Sequence, residues 1–95
     1  MIIGTLIVEF RLHGIVSRKQ KRSFAASLKQ KLRNKFNVSV AEIDGLESLN
    51  RMTLAVVTVS NETKRVQSLI NKAQSMIEAC STEEITSIDV ELFSA

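Results

Sequence analysis

Apolar and polar side chains alternate along the first dozen positions: Leu6, Val8, Phe10 and Leu12 share one parity, and Ile7, Glu9 and Arg11 the other. A period of two belongs to a strand with one face on a core, and it predicts a strand from Ile2 to Leu12. The period then changes. Phe24, Leu28, Leu32 and Phe36 recur every fourth residue as the buried stripe of a helix. Ser17 followed three residues later by Gln20 has the form of a capping box at its start, and Asn37 suits its C-terminal stop. Val38 to Ile43 and Arg51 to Val59 are β-branched runs joined through Asp44, Gly45 and the stretch Leu46 to Asn50, which predicts a hairpin. Both parities of the later run are apolar, Leu54 and Val56 on one and Val57 and Val59 on the other, so the pattern leaves its buried face open. Ser60 or Asn61 is placed to cap a second helix, in which Val66, Leu69, Ile70, Ala73, Met76, Ile77 and Cys80 follow the i, i+3, i+4, i+7 spacing. Ile85 to Phe93 supplies a last strand with Ile88, Val90 and Leu92 on one face.

The order βαββαβ fixes the expected architecture. Right-handed crossovers carry both helices to the same side of a four-stranded antiparallel sheet, an α+β, ferredoxin-like arrangement with strand order 4-1-3-2. The opposite sheet face then has no helix over it. Ile3, Thr5 and Ile7 from a central strand and Phe93 from an edge are expected there, a surface suited to self-association, most simply as a dimer, or to a protein partner.

At 95 residues, with 44% hydrophobic and 24% charged side chains, the chain fits a single domain spanning residues 1–95. The apolar run at the N-terminus is interrupted by Glu9 and falls far short of the roughly 20 residues of a membrane span, so the expected location is the cytoplasm, with no membrane role. One cysteine, Cys80, cannot form an intramolecular disulfide, and with His13 as the only histidine no zinc ligand cluster is available. No metal or cofactor is expected, and Cys80 reads as a small apolar residue on the buried stripe of the second helix.

Charge is what makes the sequence unusual. The net value is +3, but residues 11–35 hold nine of the thirteen basic side chains and no acid, whereas residues 78–91 hold five acids and no base. At about 100° per residue, Arg22, Lys29 and Arg33 fall in one narrow arc well separated from the centre of the apolar stripe. Arg18, Lys19, Lys21 and Arg22 crowd the first helical turn, where each cation opposes the helix dipole by roughly 0.3 to 1 kcal/mol. An anionic partner relieves that conflict, so Arg18, Lys19, Lys21, Arg22, Lys29 and Arg33 are the candidate residues for meeting phosphates, as in ribosomal RNA. Base stacking on the sheet is not indicated: the third strand has no aromatic residue, and Phe10 has the core parity.

Candidates for catalysis are few. His13 has no triad partner at a recognisable spacing. The loop from His13 to Arg18 resembles only loosely the arginine-bearing loop of the small acylphosphatases, and the expectation is a protein that is not an enzyme. Glu42 and Asp44 form an alternating acidic pair beside a turn and read as solvated.

The segment from Ser17 to Ser23, then Leu28-Lys29, then Leu32 to Glu42, resembles the YlxP-like family of small uncharacterised bacterial proteins (domain of unknown function 503). The resemblance extends more weakly to Val59-Ser60-Asn61 and the acidic last strand. Arg18 departs from it, since members commonly carry Leu after the Ser. The resemblance implies the same βαββαβ architecture, no established activity, and a translation context with ribosome-associated partners, because genes of this family often lie near those for translation initiation and ribosome maturation.

Overall fold

The computed structural model describes residues 1–95. Its elements are β1 (Ile2–Arg11), α1 (Arg18–Lys35), β2 (Ser39–Asp44), β3 (Arg51–Ser60), α2 (Thr63–Cys80) and β4 (Glu84–Ser94). The strands form one antiparallel sheet in the order β2-β3-β1-β4, the expected ferredoxin-like topology, with β2 and β4 at its edges.

Register explains the core. Val8 lies opposite Leu54, Leu6 opposite Val56 and Phe10 opposite Met52, so the even positions of β1 and β3 share the helix-covered face. These six side chains are at most 1% exposed. The ambiguity of β3 is thereby resolved in favour of Met52, Leu54 and Val56. The helices cover them with Ala25, Leu28 and Leu32 from α1 and Val66, Ile70, Ala73 and Ile77 from α2. Full burial of each large apolar side chain contributes roughly 1.5 to 3 kcal/mol. Phe24 packs edge-on against Phe10 with ring centroids 5.6 Å apart. Gly4 occupies a core-facing position of β1 because α2 runs directly over it: a Cβ there would collide with the Val66 Cγ1.

The helix ends depart from expectation in detail. Ser17 caps α1 through its hydroxyl, which accepts from Gln20 N, but the Gln20 side chain accepts from Val16 N rather than closing a reciprocal box. No non-glycine residue has a positive φ, so Asn37 is not a left-handed stop, and α1 instead ends in extended backbone at Phe36. The N-cap of α2 is Glu62, which makes no side-chain capping bond. Ser60 accepts from Glu62 N instead of capping the helix itself.

The buried stripe of α1 keeps its expected centre but differs in membership. Phe24 and Phe36 are half-buried, while Lys21 lies on the inner face with Ala25, Leu28 and Leu32. Its ammonium donates to the carbonyls of Gly45 and Ser48 and stands 3.1 Å from the Glu42 carboxylate.

Candidate functional site

The sheet face away from the helices carries the odd positions of β1 and β3. Cross-strand rows run Phe93–Ile3–Val59, then Glu91–Thr5–Val57–Ser39, then Asp89–Ile7–Ala55–Ala41. Ile3, Thr5, Ile7 and Phe93 are thus brought together, with Phe93 directly opposite Ile3. Val57 and Val59 extend the same patch and were not singled out from the sequence. Phe93 is 45% exposed, Val57 39% and Val59 56%, so the apolar centre of this face stands open to solvent. Acids line the β4 side through Asp89 and Glu91, and Arg11 and Arg51 stand opposite one another at one end.

The six candidate cations of α1 do not all share one free surface. Lys21 is a correction to the sequence reading: at 5% exposure and with its donors directed at Gly45 and Ser48, it is a structural tie and cannot meet a phosphate. Glu42 is corrected with it, since this acid pairs with Lys21 instead of lying in solvent, although its Oε2 makes no hydrogen bond and the contact is purely ionic. Arg18 pairs with Glu47 at 3.1 Å, and Arg33 donates to the Val40 carbonyl of edge strand β2 at 2.8 Å. Lys19 and Arg22 are exposed and Lys29 is half-buried, and none of the three has an acid within ion-pair distance. Arg22, Lys29 and Arg33 flank α1 on its β2 side, and Lys35 lies on the side toward α2.

Two loops meet at the far end of β1. His13 N and Gly14 N donate to the Glu83 carboxylate at 2.9 and 3.1 Å, and His13 Nε2 lies 2.7 Å from Glu84 Oε1. The hydrogen bond with His13 holds the Glu84 carboxyl below its usual range. The contact ties the loop after β1 to the start of β4, beside a cavity of about 470 Å3 that reaches Arg11, Arg51 and Thr53. Asp44, the other half of the acidic pair, bonds Arg51 at 3.1 Å and accepts from Gly45 N, and its carboxyl is likewise lowered, first by the Arg51 hydrogen bond. No three His, Cys, Asp or Glu side chains lie close enough together to hold a metal ion, and no helix is long and apolar enough to cross a membrane.

The architecture is similar to that of several solved proteins. SnoaB from Streptomyces nogalater, described as a cofactor-independent oxygenase, aligns over 98% of this chain and 92% of its own at TM-score 0.52 and 13% identity. A dimeric protein of unknown function with a ferredoxin-like fold from Bacteroides fragilis aligns over 99% and 96%, at TM-score 0.52 and 12% identity. Rv0793 from Mycobacterium tuberculosis aligns over 98% and 94%, at TM-score 0.50 and 10% identity. At such identities the likeness establishes the fold. No curated protein matches the sequence. A family profile matches residues 3–90, nearly the whole length, and the chain belongs to that family, described as Protein of unknown function (DUF503).

Proposed function

We propose that this protein is a non-catalytic cytoplasmic module that works as a pair, with the open sheet face of one copy packed on that of a second. The observation that carries this reading is the uncovered apolar strip formed by Ile3, Ile7, Val57, Val59 and Phe93. A sheet face of four strands, six to eleven residues long, covers about 600 Å2, from strand spacing of about 4.8 Å and a rise of about 3.3 Å. Two such faces give about 1,200 Å2, the lower end of stable interfaces. The Bacteroides fragilis protein of the same fold, described as dimeric, supports the reading. Light scattering on the eluting protein is expected to give the mass of two chains across a wide concentration range. The mass of one chain at every concentration overturns the proposal.

A second reading is favoured by the unpaired cations of α1. Helices lie on the face opposite the proposed contact, so pairing leaves Lys19, Arg22 and Lys29 facing outward, available to the phosphates of ribosomal RNA. Affinity is then expected to fall by roughly 0.7 to 0.9 log units per log unit of salt for each phosphate neutralised. Absence of RNA binding at low salt, together with no co-sedimentation with ribosomal subunits, overturns it.

A further inference from the structure

Phe36, which closes α1, lies against the outer flank of α2 and is shared by two adjoining cavities of about 550 and 520 Å3. The first is ringed by Lys35, Lys64, Arg65 and Lys72 over Phe36 and Leu69. The second continues along α2 past Asn71 and Ser75 to Met76 and Cys80. They share Lys35, Phe36 and Lys72 and form one open trough with unlike ends: four cations gather at one, and beyond Lys35 and Lys72 the other is lined by apolar side chains with Asn71 and Ser75. None of the lining residues is acidic. Of the four cations only Arg65 has an ion pair, an exposed one with Glu62 at 3.7 Å. Lys64 and Lys72 stand two turns apart on α2, about 12 Å along the helix.

We infer that this trough binds single-stranded RNA, with phosphates along the cation-rich end and a base laid against Phe36, which both cavities share. The asymmetry selects the ligand. Inorganic phosphate satisfies the cations and leaves the apolar half bare. An acidic peptide brings charge without a flat ring to cover Phe36. A nucleic acid strand supplies repeated anions and π faces together, the pairing that sequence-tolerant single-strand sites exploit. Asn71 and Ser75 offer hydrogen bonds to a base edge. The site is separate from the sheet face and from the β2 side of α1, so it stands apart from both readings above.

Fluorescence anisotropy of the full chain with a labelled RNA of about ten nucleotides at low salt tests the inference. The Lys64→Glu/Lys72→Glu variant is expected to bind roughly tenfold more weakly or worse, while Lys31→Glu, a charge reversal at an exposed α1 position outside both proposed sites, stays close to the unaltered protein. The amide resonances of Ser75 and Met76 are expected to shift on RNA addition, in a measurement that needs no variant. Inorganic phosphate and adenosine monophosphate in large excess are expected not to displace the strand. The inference is overturned by full binding in the Lys64/Lys72 variant, by equal loss in both variants, by displacement with inorganic phosphate, or by unmoved Ser75 and Met76 resonances. Loss on Arg22→Glu/Lys29→Glu with full binding kept by Lys64→Glu/Lys72→Glu also overturns it while sustaining the α1 reading, and no RNA binding at all overturns both.

Discussion

The ammonium of Lys21 stands 3.1 Å from the Glu42 carboxylate beneath α1, with the two side chains only 6% and 15% exposed. The same nitrogen donates to the carbonyls of Gly45 and Ser48, so one side chain ties the first helix to β2 and to the loop that follows it. Gly45 makes that loop possible, since its φ of 78° is unfavourable for residues with a side chain and a Cβ there would meet the Arg51 carbonyl at 2.8 Å. Part of the cationic crowding in the first turn of α1 is therefore structural.

Replacing Lys21 by Met leaves Glu42 as an uncompensated, mostly buried charge and removes the donor from two carbonyls. Breaking a buried pair on one side costs roughly 3 to 5 kcal/mol, and urea unfolding of Lys21→Met is expected to register a loss of that size. Lys21→Met/Glu42→Leu is expected to recover part of it. A single variant within about 1 kcal/mol of the unaltered protein would show that the pair is dispensable.

At Gly4 α2 passes close over β1, and the approach leaves no room for a methyl group against Val66. Gly4→Ala is expected to lower stability by about 1 to 3 kcal/mol through overpacking. Adding Val66→Ala should relieve the clash, so the two changes are expected to be non-additive in a thermal unfolding cycle. Strict additivity contradicts the close approach.

The carboxyls of Glu84 and Asp44 are both held below their usual range, by His13 and by Arg51 respectively. The folded protein thus binds these protons less readily than the unfolded chain. The stability they contribute is complete above the ordinary carboxylate range and is lost as pH falls through the lowered folded-state values. Urea midpoints followed downward from neutral pH are expected to drop below about pH 4, and His13→Ala to remove the Glu84 share of the drop. Parallel profiles for the two proteins would assign no role to the His13–Glu84 contact.

Much of the fold was legible because period and parity agree in β1, where Leu6, Val8 and Phe10 could face only one way. Strand β3 was harder: Val57 and Val59 are as apolar as Leu54 and Val56, and the distinguishing signal was the Arg51 and Thr53 that share the odd parity. Lys21 is the residue whose charge does not mean exposure. A helical wheel places it within the arc of Leu28 and Leu32, and its partner Glu42 lies on a different element. The trough was invisible for a similar reason. Lys35 and Lys64 are distant in sequence and meet only because the end of α1 lies beside the start of α2.

In the proposed pair the open sheet face is an interface between two copies. Sedimentation equilibrium of the unaltered protein beside Val57→Lys, with circular dichroism confirming that the variant keeps its fold, tests it most directly. Val57 is 39% exposed, so a lysine is tolerated by a free sheet face and places two unpaired charges inside a paired one. The expected result is the mass of two chains for the unaltered protein and of one chain for a folded Val57→Lys variant. A one-chain mass for the unaltered protein, or an undiminished two-chain mass for the variant, contradicts the claim.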